Sequence, residues 1–221
     1  MEKHIITVSD VDISLKTLLD TLHVDEDDDS AQAIGAMLDE AVTVARPTAV
    51  YCVVPPEVRD GAVILNGVEI GEPFVHKMLA GSKNVVPYVA SCGTEIEQWS
   101  KKYDSDFFYQ FTADTIKMMC LGPIRERLMA EIKENYFDAG KNISTLNPGS
   151  LKEWPITGQI PLFEVLGGVT QDIGVVLSDS LLMYPTKSVS GIVFQSEEAY
   201  ENCQLCPREN CPGRRAPYIG D

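Results

Sequence analysis

Three of the six cysteines in this 221-residue chain, Cys203, Cys206 and Cys211, fall within nine residues of one another. Spacing of two intervening residues turns two thiolates onto one metal ion, and a third thiolate a few residues on closes the site. That is ligand chemistry for Zn²⁺ or for an iron–sulfur cluster; a 4Fe–4S cluster suits three cysteines and an open iron. A fourth ligand is missing locally, and Cys92, at a predicted strand end, is the first candidate for it. Cys120, Cys52 and the histidines His4, His23 and His76 are weaker ones. The alternative is three reduced surface thiols, which are uncommon and reactive. Arg208, Arg214 and Arg215 lie among these cysteines. They either stabilise thiolates or a negatively charged cluster, or simply face solvent.

No catalytic triad pattern, Walker loop, dinucleotide-binding glycine motif or HExxH is present. Eighteen basic against 33 acidic residues leave a net charge of −15. That balance argues against nucleic acid or an anionic membrane as partner, because phosphates call for basic surface. The run Asp25-Glu26-Asp27-Asp28-Asp29 reads as a solvated loop before a helix, since calcium-loop spacing is missing. The chain lacks an apolar run of about 18 residues, and its N-terminus does not read as a signal peptide. The expected compartment is the cytoplasm, where an even cysteine count does not imply disulfides.

The elements that must position these groups follow from periodicity. Helices are predicted over 13–22 and over 30–45, the second with Ser30 as N-cap and Pro47 as its stop. Residues 49–54 and 84–91 read as buried strands, and Asn66-Gly67 turns a hairpin between 62–65 and 68–70. Residues 74–80 suit a helical turn. Cys92-Gly93-Thr94 connects a strand to a helix over 94–103. The longest predicted helix is 107–136, with an apolar stripe of Leu121, Ile124, Leu128 and Ile132; Gly122-Pro123 should kink or divide it. Asp114 lies near its start, either an inward polar group or an exposed first-turn acid. After the turn Asn147-Pro148-Gly149-Ser150 comes an amphipathic segment over 156–166, then β-type runs over 173–177 and 181–194. From Tyr200 the chain becomes rich in Pro, Cys and Arg and loses periodicity.

The order Pro148-Gly149, Ser178-Asp179-Ser180, Met183-Tyr184-Pro185 and Ser188-Val189-Ser190-Gly191 resembles the activation (reactivation) domain of cobalamin-dependent methionine synthase, in a free-standing form with an added C-terminal cysteine cluster. The resemblance implies an α+β fold: a twisted, largely antiparallel sheet flanked by helices over 1–199, followed by a cysteine-rich tail over 200–221. It also implies an S-adenosylmethionine site at the turn, carried here by Asn147, Pro148, Gly149 and Tyr200. The family's arginine and tyrosine beside the Pro-Gly pair are replaced by Thr145 and Ser150, so weak binding is expected. Met183, Tyr184, Ser188, Ser190 and Gly191 fall where the family faces the corrin ring of its partner, which calls for small, outward-facing residues. The implied role is an accessory component of a methyltransferase system in methionine biosynthesis. It docks on a corrinoid-carrying protein or methionine synthase and supports reductive remethylation of the cobalt of cobalamin or another corrinoid. Two alternatives stand beside it: an iron–sulfur redox protein passing electrons to a corrinoid protein, and a non-catalytic binding factor whose tail is ordered by zinc.

Overall fold

The computed structural model describes residues 2–196, 200–210, 214 and 216–219. In chain order the elements are β1 (Lys3–Thr7), α1 (Leu15–Leu22), α2 (Ala31–Val44), β2 (Thr48–Cys52), β3 (Glu57–Arg59), β4 (Ala62–Leu65), β5 (Val68–Ile70), α3 (Pro73–Leu79), β6 (Val85–Ser91) and α4 (Thr94–Ser100). Then follow α5 (Phe107–Tyr136), β7 (Asn142–Leu146), α6 (Gln159–Leu166), α7 (Val169–Ile173), β8 (Val176–Leu177), β9 (Met183–Tyr184) and β10 (Ser188–Ser196). Among the described residues no helix is long and apolar enough to cross a membrane.

The main sheet is five-stranded, in the order β1-β2-β6-β10-β7, with every neighbouring pair antiparallel. β6 is buried at all seven positions, as a continuous apolar run in a central strand must be. Because side chains alternate along a strand, the sheet has two apolar faces. Val50, Val85, Val89, Leu146, Ile192 and Phe194 face α3, α6, α7 and the three-stranded meander β3-β4-β5. Ala49, Tyr51, Val86, Tyr88 and Val193 face the second half of α5 through Ile124, Leu128 and Ile132. A third cluster, off the end of the sheet, joins α1, α2 and α4 to the first half of α5 through Ala113, Ile116 and Cys120. The expected fold, a largely antiparallel sheet flanked by helices, is the fold observed.

Several local expectations are corrected. Of the two outcomes expected at Gly122-Pro123, division does not occur: α5 is one helix through Pro123. A proline inside a helix costs about 3 kcal/mol, but this helix is packed on both sides of it, into the helical cluster before and onto the sheet after. Ser30 stands at the N-cap position of α2, but its side chain caps no helix N–H: its backbone is in the right-handed helical region, and its N–H and hydroxyl both donate to Asp28 Oδ1, at 2.8 and 2.6 Å. Part of the β-type run over 173–177 is the end of α7, which Gly174 (φ 70°) terminates in the left-handed region. A Cβ there would lie 2.7 Å from Thr94 Cγ2. Only Val176–Leu177 pairs as strand. The edge strands β1 and β7, where polar residues interrupt the apolar pattern, have no counterpart in the sequence reading.

Candidate functional site

α4 and α5 bring Glu97 and Lys117 together at the end of β6. Both side chains are only 7% exposed, and Lys117 Nζ lies 3.3 Å from each carboxylate oxygen. The loop between β9 and β10 completes the arrangement. Thr186 donates its N–H to Glu97 Oε2 at 3.1 Å, and its hydroxyl lies 3.2 Å from both Lys117 Nζ and Glu97 Oε2. Lys187 Nζ sits 2.6 Å from Asp114 Oδ2, whose other oxygen is 3.5 Å from Lys117. A buried ion pair holds only when its remaining donors and acceptors find partners, and Thr186 supplies them. The pair therefore fastens the loop carrying Met183-Tyr184-Pro185 to two helices.

Above this pair opens a cleft of about 590 Å³ lined by Glu97, Lys101, Phe107, Phe111, Lys117 and Tyr184 among others. Phe107 is 91% exposed and Phe111 59%. Lys101 Nζ stands 6.0 Å from the centre of the Tyr184 ring, a cation–π distance. Sequence reasoning missed both charges at the floor. One signal existed: Lys117 follows buried Ala113 by four residues and precedes buried Cys120 by three, so it occupies a core position of its helix.

The S-V-S-G strand is not outward-facing as expected. Ser190 is 3% exposed, and its hydroxyl donates to Gln159 Oε1. Gly191 is buried; a Cβ there would come within 2.5 Å of the Leu146 carbonyl and 2.6 Å of Asn147 Nδ2. Its glycine permits close approach of β7, not of a macrocycle. The Ser188 hydroxyl bonds to Ser91 Oγ and the Pro185 carbonyl. What reaches the surface is the preceding loop, where Leu182 is 62% exposed and Met183 and Tyr184 are half-buried.

At the turn, Asn147 is a structural tie. Its Nδ2 donates to the Ser190 carbonyl (2.8 Å) and to the Tyr88 hydroxyl (3.1 Å), and its Oδ1 accepts from Asn202. Pro148 is buried, and the Gly149 N–H donates to the Trp154 carbonyl. On the α5 side, Thr145 and Asn147 line a cleft of about 320 Å³ together with Arg125, Glu126 and Met129. Arg125, from α5, thus lines the same cleft as Thr145. Tyr200 is not among the residues of this cleft. Its N–H donates to Ser144 Oγ, its ring meets Phe74, and its buried hydroxyl has no partner among the described residues. Burial pushes that hydroxyl up to about 12.

In the tail, Arg214 donates to the carbonyls of Cys203 (2.8 Å) and Cys206 (3.0 Å) and also bonds those of Arg208 and Ala216. This holds the two half-buried cysteines in one turn around a cation. Cys211 and Arg215 lie outside the described residues. Cys92 is not brought to them. It is fully buried in the helical cluster with Cys120, and burial pushes its thiol up to about 12. The tail pairs with β7 at Thr145, in register with Val193 and Val86. That point is six residues along the strand from Cys92, about 20 Å. Among the described residues no group of three or more His, Cys, Asp or Glu side chains converges.

No protein-family model and no curated protein matches the chain. Among solved structures, the MetH reactivation domain bound to AdoHcy superimposes with a TM-score of 0.63 and 13% identity, over 90% of this chain and 80% of that one. The chain has the fold of the MetH reactivation domain.

Proposed function

We propose that this protein is an accessory factor that docks on a corrinoid-carrying protein and supports return of its cobalt to an active, methylated state. The observation that carries this reading is the fold shared with the MetH reactivation domain over nine-tenths of the chain. The chain's own contribution is binding and orientation; reducing equivalents come from a separate donor. The docking face in this reading is the cleft of Tyr184, Phe107 and Phe111 with Leu182 beside it, an apolar rim around hydrogen-bonding groups. A corrin is broad and apolar with amide fringes, so rim and floor match it in kind.

The test is titration of a cobalamin-carrying methionine synthase fragment in the cob(II) state, followed by corrin absorption. Wild type should shift the spectrum saturably, and Phe107→Ser/Phe111→Ser should weaken this by at least about 10-fold, as expected for aromatic anchors. Absence of any shift with wild type refutes the reading.

AdoHcy occupies the related domain, and we place a ligand of that class in the cleft of Thr145, Asn147 and Arg125. Arg125 stands in for the arginine absent from position 145 and pairs with the carboxylate. Arg125→Gln should lower AdoHcy affinity by about 10-fold or more in calorimetry. Equal affinity excludes the assignment.

A second reading attaches to the tail, favoured by the turn that Arg214 imposes on Cys203 and Cys206. In it these two residues and Cys211 bind one metal, an iron–sulfur cluster that passes electrons to the corrinoid or a zinc ion that orders the tail. This reading leaves Cys92, buried with Cys120 in the helical cluster, out of the ligand set. Metal analysis after anaerobic purification should find close to one site per chain. Less than about a tenth, unchanged by reconstitution, removes this reading.

A further inference from the structure

In a chain with nearly twice as many acids as bases, three lysines meet at one cavity. It lies at the opposite end of β6 and β10 from the Glu97–Lys117 pair and has a volume of about 520 Å³, within the range of small-molecule sites. Lys77 comes from α3, Lys83 from the loop before β6, and Lys141 from the loop that ends at β7. Among the described residues one carboxylate, Asp138, stands against them. Among the described residues Lys77 and Lys83 have no carboxylate partner. Lys77 lies in the last turn of α3, where the helix dipole favours a cation. No such reason applies to Lys83, in a loop.

The walls are fixed by bonds that, among the described residues, leave these two ammonium groups unused. Ser82 Oγ donates to the Gln195 carbonyl at 3.3 Å, and Gln195 Nε2 donates to the Asp138 carbonyl at 2.9 Å. The tail closes one side: Tyr200 bonds Ser144, and the Ile219 N–H donates to the Gln204 carbonyl at 2.8 Å. Met78, Phe194 and Ile219 supply apolar wall.

We propose that this cavity binds a phosphorylated small molecule, with the phosphate held by Lys77 and Lys83 and the organic body laid against Met78 and Phe194. Two separate point charges suit a group carrying nearly two negative charges. A lone carboxylate is better met by the bidentate fork of arginine, and among the described residues no arginine lines this cavity. A polyanion is disfavoured because the rest of the chain repels it.

The inference is independent of the corrinoid reading, and its probe contains no adenosine that could enter the Arg125 cleft. Calorimetry with phenyl phosphate should show saturable binding, inorganic phosphate should bind more weakly, and phenol should not bind. Lys77→Gln/Lys83→Gln should weaken phenyl phosphate by at least about 10-fold at unchanged melting temperature. Lys16→Gln, which removes an exposed lysine elsewhere, should leave it unchanged. No binding of either phosphate at roughly 10 mM, equal binding by the double variant, or an equal loss in Lys16→Gln each overturns the proposal.

Discussion

The two ends of the β6–β10 pair use lysine in opposite ways. At the end formed by Ser91 and Ser188, Lys117 is buried, neutralised by Glu97 and tied through Thr186 to the loop it holds. At the end formed by Val85 and Phe194, Lys77 and Lys83 are exposed around a cavity and, among the described residues, unpaired. A desolvated cation must be matched by its own chain, so it serves architecture. A solvated cation can stay unmatched and remain available to a ligand. Burial, not residue type, separates the two roles.

The largest test of that contrast is Lys117→Met. It leaves Glu97 buried without its counter-charge and should cost about 3–5 kcal/mol, read as a lower urea midpoint at unchanged slope. Lys83→Gln should stay within about 0.5 kcal/mol of wild type. Combining Lys117→Met with Glu97→Gln should recover part of the loss, because the uncompensated charge goes with it. If Lys117→Met costs less than about 1 kcal/mol, the pair is not structural and the contrast collapses.

Between the two ends the β10 ladder must keep its register. Gly191→Ala tests whether the strand serves packing, as its geometry requires, or a partner. The new Cβ would meet a backbone carbonyl at 2.5 Å, which yields only if β7 moves. A loss of about 1–3 kcal/mol in urea denaturation is expected. A neutral result would return this strand to the candidates for an outward face.

Ionic strength sharpens the comparison without mutation. At about 1 M salt the screening length falls to about 3 Å. Phenyl phosphate binding at Lys77 and Lys83 should then weaken by at least about 10-fold. The stability difference between wild type and Lys117→Met should hold, since the buried pair is shielded from ions. Salt-independent phosphate binding would mean that the exposed lysines do not carry it.

The uneven legibility of the sequence follows from the same physics. β6 was readable because a central strand must be apolar throughout, and the hairpin at Asn66-Gly67 because its turn demands those residues. β1 and β7 were not, because edge strands hydrogen-bond on one side only and tolerate Lys, His, Asn and Ser. The motif Ser188-Val189-Ser190-Gly191 located a strand correctly but not its facing, which depends on Asn147 and Gln159 arriving from elsewhere. Glu97 and Lys117 are 20 residues apart, and only the packing of two helices makes them a pair. The cavity of Lys77, Lys83 and Lys141 joins three elements with no shared period.

The smallest expected effect concerns Tyr200, where the tail meets the lysine cavity. The resemblance gives this residue to a ligand, whereas the structure anchors it by its N–H and its ring and leaves its hydroxyl buried and, among the described residues, unbonded. An unsatisfied buried hydroxyl costs stability, so Tyr200→Phe should stabilise the protein by about 1 kcal/mol, a rise of roughly 2–4 °C in melting temperature. The pH dependence gives a second reading. Burial raises this phenol to about 12 in the folded state, above the ordinary value near 10 in the unfolded chain. The unfolded state therefore loses its proton first, and wild type should lose stability relative to the variant as pH rises from about 10 towards 12. Below pH 9 the difference between the two should be constant. A destabilised Tyr200→Phe would mean that the hydroxyl has a partner, and the tail would then be held to the sheet by more than its backbone and one ring; a pH-independent difference across that window would mean that the hydroxyl is solvated and not buried.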